Sequence, residues 1–232
     1  MYCFRFENKR YVFISARVHP GETPASFTFN GLLRFLLDKE DPRSIAFRDN
    51  FVAVLVPMLN PDGVSRGHYR MDTYGLNLNR FYTAPTLEQH PSIYAVKEVM
   101  MDLHNRGLLY LYCDLHAHAN LMGCFVYGNT LEFRDQIEVN LFPKLLSLNS
   151  QHFEYEKCNF SEKNTGGDKS DKEKEGAGRV QIYQATKNPR CYTLECSYAA
   201  GKIRNVLAPA LSYEQLQNLE ENSENFVLAF SY

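Results

Sequence analysis

The segment Tyr11–Leu37, YVFISARVHPGETPASFTFNGLLRFLL, leaves this chain few ways to fold. Tyr11–Val18 is rich in β-branched, aromatic and other apolar residues, so it reads as a largely buried strand. Pro20 and Gly21 break it, and from Glu22 the residues Phe27, Leu32, Leu33, Phe35, Leu36 and Leu37 suit a helix with an extensive buried face. Between strand and helix, His19-Pro20-Gly21-Glu22 places an imidazole and a carboxylate across a sharp turn, where both can converge on one point. Such a pair supplies two of the three protein donors of a hydrolytic zinc site. The competing local reading is a helix start in which Glu22 answers the helix dipole and His19 is merely packed.

The rest of the chain supplies the surroundings. Met1–Phe6 and Tyr11–Val18, joined by a polar turn, look like a hairpin, and Asp38–Pro42 ends the first helix because proline cannot continue it. Ser44–Asp49 is a short helix, and FVAVLVPM (Phe51–Met58) is a strand apolar on both faces, as in the middle of a sheet covered by helices. Val64–Phe81 is polar and glycine-punctuated and reads as an ordered loop. Pro91–His104 is a helix, Leu108–Leu115 and Gly123–Tyr127 are strands, and Thr130–Leu148 is a helix with Phe133, Ile137, Leu141, Leu145 and Leu148 at spacings of three and four. Ser161–Gly178, SEKNTGGDKSDKEKEGAG, has almost no apolar side chains and reads as a mobile surface insert. Val180–Ala185 and Cys191–Cys196 return to strand character, and Tyr213–Leu228 forms a closing helix. Strands alternating with helices predict an α/β fold with a mixed, largely parallel central sheet flanked by helices, in one domain spanning residues 1–232.

Three further stretches carry chemistry. LYLYCDLHAHA (Leu109–Ala119) runs a hydrophobic strand into His116, and sites in open α/β sheets gather at such carboxyl ends. Two histidines and one glutamate leave a fourth tetrahedral position open, the pattern of a hydrolytic rather than a structural zinc. Alternation would also send Asp114, His116 and His118 to one face, so a local cluster of these three competes; Asp114 or His118 could equally orient a ligand from behind. Glu195 stands alone among uncharged residues in Tyr192–Cys196, and a buried carboxylate is costly unless used or paired, which makes it the candidate base. The loop Asn60–Tyr82 carries Arg66, Arg70 and Arg80 with Asn77 and Asn79; Asn79 and Arg80 together can grip a carboxylate, and an arginine near the metal can stabilise an oxyanion.

Composition narrows the function. A net charge of −2 gives no electrostatic case for nucleic acid or a membrane surface, and no apolar run approaches the ~20 residues needed to span a bilayer. Six scattered cysteines without C-x-x-C spacing read as reduced thiols of a cytosolic protein.

In order, HPGE, NPDGV, Arg70, GLNLNR, DLH and TLE resemble the zinc metallocarboxypeptidases of the M14 type. SARVHPGETPASFTFNG, PMLNPDGVSRGHYR, DLHAHA with GCFVYGN, and NFSEKN with the later GRV look like the cytosolic carboxypeptidase subfamily, over roughly Tyr11–Ala200. The resemblance implies a zinc carboxypeptidase-like fold, one zinc ion held by His19, Glu22 and His116, and Glu195 as general base and acid. It implies that Arg70 polarises the scissile carbonyl while Asn79 and Arg80 hold the terminal carboxylate. It also implies removal of glutamate from acidic protein tails, such as polyglutamylated tubulin, in the cytoplasm and in association with microtubules or cilia. Glutamate in the pocket calls for a cation, for which Arg179 is the candidate; Tyr183 is a candidate for the family's mobile active-site tyrosine. Two departures from the subfamily are expected: the β-sandwich domain that precedes its catalytic domain is expected to be missing from these 232 residues, and Ala117 stands where DLHGH is more usual. An aspartoacylase-like zinc deacylase and an inactive binder of tubulin tails are the alternatives.

Overall fold

Alternation along the first strand sets the architecture. In the computed structural model, which describes residues 6, 9–161, 175–198, 203–205 and 207, strand β1 spans Arg10–Ala16 and is buried from Tyr11 onward. Val12, Ile14 and Ala16 enter one core while Tyr11 and Phe13 enter another, because successive side chains leave opposite faces of a strand. Four more strands complete the sheet: β2 (Phe51–Val56), β3 (Leu109–His118), β4 (Cys124–Tyr127) and β5 (Cys191–Ser197). Their spatial order is β2-β1-β3-β5-β4, parallel throughout except that β4 runs antiparallel to β5. The sheet is mixed and largely parallel, as the alternating pattern predicts. Both edges of β1 are taken by parallel partners, and the first arm of the expected hairpin, Met1–Phe6, lies almost wholly outside the described residues.

The helices are α1 (Thr23–Leu37), α2 (Pro42–Asn50), α3 (Pro61–Ser65), α4 (Pro91–Asn105), α5 (Phe133–Asn149) and α6 (Gly178–Thr186). One sheet face is covered by α1, α2 and α5 through Phe29, Phe47 and Phe142, the other by α4 and α6 through Ile93, Met100 and Ile182. In α1 the buried stripe is Ala25, Phe29, Leu32, Phe35 and Leu36. Phe27 and Leu37, expected inside, are 77% and 66% exposed, because at about 100° per residue both fall off that stripe. In α5 the core takes Val139, Phe142 and Leu146, while Phe133 and Ile137 of the apolar series stay on the surface.

One element differs in kind. Val180–Ala185, expected as a strand, is the middle of helix α6, which ends on Lys187 in the left-handed region, φ 55°, with its N–H donating to the Tyr183 carbonyl. A six-residue run such as VQIYQA satisfies the alternating and the helical pattern equally. Tertiary context decides: as a helix the segment buries both Val180 and Ile182, with Ile182 in the core against the sheet. The expected insert lies outside the described residues except at its ends; residues 175–178 lead into α6, with the Gly176 carbonyl accepting from Tyr82 N–H. The expected closing helix Tyr213–Leu228 also lies outside them. Among the described residues no helix is long and apolar enough to cross a membrane.

The consequence for function is that β1, β3 and β5 are adjacent and parallel. Their carboxyl ends therefore open at one edge, with His19 just beyond β1 and His116 and Glu195 within β3 and β5.

Candidate metal centre and active site

The turn after β1 is built by Arg17. Its backbone is left-handed at φ 57°, a conformation that costs a non-glycine residue about 1 kcal/mol and turns the chain sharply out of the strand. The buried guanidinium compensates by donating from Nε and Nη2 to the Pro20 carbonyl and from Nη1 to Ser26 Oγ. Gly21 donates its N–H to the Tyr69 carbonyl at 2.7 Å. A Cβ at this position would lie 2.7 Å from that same oxygen, so only glycine permits the approach. Tyr198 closes the turn from outside, its hydroxyl donating to the Gly21 carbonyl. His19 and Glu22 are thereby fixed on one side of a rigid loop.

β3 supplies the third donor. Asp114 and His116, two apart on the strand, share a face, and one Asp114 oxygen holds His116 Nε2 at 2.7 Å. The other accepts from the hydroxyl of Ser15, its neighbour on β1, at 2.7 Å. His19 is held in the same way, Nε2 lying 3.1 Å from Asn77 Oδ1. With both Nε2 atoms engaged, both Nδ1 atoms turn inward to Glu22: His19 Nδ1 is 2.7 Å from Oε1 and His116 Nδ1 is 3.0 Å from Oε2. Glu22 Oε2 also accepts the Ala117 N–H. One ligand atom from each of the three residues lies within 4.8 Å of the others. Burial would raise the Glu22 carboxyl, but the charge of His116 and the bonds from both imidazoles outweigh it and hold Glu22 well below the usual carboxylate range. Burial also works against charge on both rings; it prevails at His19, whereas Asp114 and Glu22 overcome it at His116.

The test of fit is the donor set. Two imidazole nitrogens oriented by bonds on their far sides, together with a carboxylate, suit a divalent zinc with a fourth position open. The competing cluster of Asp114, His116 and His118 is not assembled: Asp114 faces the outer nitrogen of His116, and His118 Nδ1 accepts from the N–H groups of Asn120 and Leu121.

Glu195 pairs in register with His116 across β3 and β5 and is 9% exposed. Its Oε2 has no hydrogen-bond partner among the described residues. Burial pushes its pKa up to about 7, with His116 opposing and Glu22 and Asp114 adding to the rise. A buried carboxylate with an unengaged oxygen, poised near neutral pH, is what a general base requires.

The remaining candidates line the same cleft of about 370 Å³. Arg70 enters from the loop with Nη1 3.7 Å from Glu22 Oε1. Asn79 lies in a short 3₁₀ turn, Leu78–Arg80, where its Oδ1 accepts the Gly178 N–H at the start of α6, and Arg80 Nη1 donates to the Asn79 carbonyl. Arg179 is buried at 5% exposure, its Nη1 donating to the Gly128 carbonyl and, at 2.7 Å, to Asn129 Oδ1. Burial lowers its pKa to about 10, which leaves it a cation at neutral pH. Tyr183 is elsewhere, packed beside the Lys187 amine and the second core; the tyrosines of the cleft are Tyr69, Tyr127 and Tyr198. Sequence reasoning left Ser15, Asn129 and Tyr127 without a role. Their one signal is position, at the end of β1 and in the YGN stretch that closes β4.

Comparison with known proteins gives this geometry a lineage. The family described as zinc carboxypeptidase, Peptidase_M14, matches residues 5–221. Cytosolic carboxypeptidase-like protein 5 of Mus musculus is 38% identical over 89% of this chain, and cytosolic carboxypeptidase 6 of the same organism is 37% identical over 92%. The chain spans 33% and 42% of the length of these two relatives. Among solved structures, a metallo-carboxypeptidase from Burkholderia cenocepacia superposes with a TM-score of 0.71 at 25% identity, covering 82% of this chain and 49% of that one. A metallo-carboxypeptidase from Pseudomonas aeruginosa, in complex with (2-guanidinoethylmercapto)succinic acid, shares the fold at a TM-score of 0.72 and 20% identity, over 94% and 56%. With the family match spanning nearly the whole chain, and a two-histidine, one-glutamate set at the sheet edge, the protein belongs to the M14 zinc carboxypeptidase family.

Proposed function

We propose that the chain is a zinc-dependent metallocarboxypeptidase that removes glutamate, C-terminal or side-chain-linked, from acidic protein tails such as those of polyglutamylated tubulin. The observation that carries this reading is the convergence of His19, Glu22 and His116 beside the buried Glu195, in a cleft also lined by Arg80 and Arg179. His19, Glu22 and His116 would hold one zinc ion, which when bound activates water and polarises a carbonyl. Glu195 takes the proton of the attacking water and returns it to the leaving amine, a role that its raised pKa suits. Arg70 faces the developing oxyanion. Asn79 and Arg80 bind the free α-carboxylate, and this makes the reaction an exopeptidase reaction. Arg179, braced by Gly128 and Asn129, presents a low-dielectric cation to the glutamate side chain. A cytoplasmic site of action, near microtubules or cilia, follows from such a substrate and from the word cytosolic in the relatives' names.

The test is mass spectrometry of glutamylated tubulin-tail peptides incubated with zinc-loaded protein, with Glu195→Gln as control and an N-acetyl amino acid as a second substrate. Stepwise loss of glutamate residues, absent in the control, is the expected result. Turnover of the N-acetyl amino acid alone would replace the peptidase by a deacylase, and binding of the tails without turnover would leave only a binding protein.

A further inference from the structure

On the sheet face opposite Glu195, Cys124 of β4 stands directly across from Cys196 of β5. The next pair along, Gly123 and Ser197, is joined by a bond from the Ser197 N–H to the Gly123 carbonyl at 2.9 Å. Cys124 and Cys196 are therefore a non-hydrogen-bonded pair of the antiparallel ladder, the kind in which opposed Cα atoms approach to about 4.5 Å and side chains are nearest. Consistent with this, the N–H and C=O of Cys124 turn away from β5, to the His152 carbonyl and the Glu154 N–H. A separation of about 4.5 Å lies within the range a disulfide bridges, roughly 4.4–6.8 Å. Both thiols are free in this structure. We propose that Cys124 and Cys196 form a redox-responsive dithiol that closes reversibly into a cross-strand disulfide when exposed to a peroxide.

The surroundings give the two sulfurs unequal roles. A hydrogen bond from Cys196 draws the Cys124 thiol below its ordinary pKa, and the same contact, with burial, pushes Cys196 up. Cys124 is half-buried, whereas Cys196 is buried with Thr28 Oγ1 3.1 Å from its sulfur. Cys124 is thus the sulfur that meets the oxidant. Its thiolate attacks one peroxide oxygen, the O–O bond breaks, and a sulfenic acid forms as the other oxygen leaves as water. Cys196 then attacks the sulfenic sulfur, the S–S bond forms, and the hydroxyl leaves as a second water. The two thiols lose two electrons and the peroxide gains them. Cys158, also near β4, is a poorer competitor: burial pushes it up to about 11 and its sulfur accepts the Val126 N–H.

The experiment treats the zinc-loaded full chain with hydrogen peroxide, alkylates the remaining thiols, and maps linkages by tandem mass spectrometry. The expected result is a loss of about 2 Da, the two thiol hydrogens, assigned to a Cys124–Cys196 bond and reversed by dithiothreitol. Cys124→Ser and Cys196→Ala should each abolish it, and Cys158→Ala should leave it intact. Full alkylation of both residues after oxidation, arrest of Cys124 as a sulfinic acid, or a bond mapped to Cys158 would overturn the proposal. The wild-type map decides the matter even if a substituted chain folds poorly.

Discussion

Replacing Glu195 by glutamine should abolish turnover and, in the metal-free chain, make the protein more stable at high pH. Burial raises the Glu195 carboxyl from its ordinary 4.5 to about 7. The folded chain therefore holds a proton that the unfolded chain has released between those two pH values, and stability falls as pH rises through that window. At about 1.4 kcal/mol per pKa unit, the full penalty is about 3 kcal/mol, reached at pH 8 and shrinking to about 1 kcal/mol at pH 5. Glutamine keeps the shape and never ionises, so the variant escapes the penalty. Urea unfolding of both proteins in chelator at pH 5 and pH 8 measures it: the advantage of Glu195→Gln should grow by about 2 kcal/mol between the two. A variant no more stable than wild type at pH 8, or one whose advantage is the same at both pH values, would show that the carboxylate is not desolvated in the cleft. The same group predicts the direction of the metal effect, since a bound cation favours the ionised carboxylate and should stabilise wild type more than the variant.

Three further outcomes are expected. Arg179→Leu should lower kcat/KM for a C-terminal glutamate about 10- to 100-fold, as the loss of a charge-assisted hydrogen bond implies, while sparing neutral residues; an unchanged preference removes Arg179 from substrate binding. Asp114→Asn, which weakens the grip on His116 Nε2, should reduce zinc affinity by about 10- to 100-fold in chelator competition, and equal affinity would refute the orienting role. Gly178→Ala places a Cβ 2.8 Å from the Tyr112 hydroxyl and 2.9 Å from the Tyr82 ring, so thermal unfolding should show a loss of about 1–3 kcal/mol; a neutral result would mean that α6 shifts freely.

The sequence made some parts of this site readable and hid others for physical reasons. β1 and its turn were legible because continuous burial, Pro20 and Gly21 leave a local record of strand and break. His116 and Glu195 were legible because each is a polar residue within an apolar run, which a strand can tolerate only at its functional end. α6 was misread because Val180–Ala185 fits both periodicities and only its packing under the sheet selects one. The partners of the ligands are not legible because they act at long range: Ser15 reaches Asp114 across 99 positions and Asn77 reaches His19 across 58. The orienting part of Asp114, by contrast, was open from the strand alternation alone.

The pairing of His116 with Glu195 has a consequence for how such an enzyme can change. Main-chain ladders of β1, β3 and β5, rather than pliable side chains, set the spacing between donor and base, and a slip of a single residue in β3 or β5 would turn that strand's group to the wrong side. The residues proposed to grip the substrate arrive separately, from the 60–82 connection and the first turn of α6. Swapping or lengthening those segments would therefore change what the cleft accepts while the ligand set and Glu195 stay in place, so variation in selectivity should collect there and leave the strands untouched.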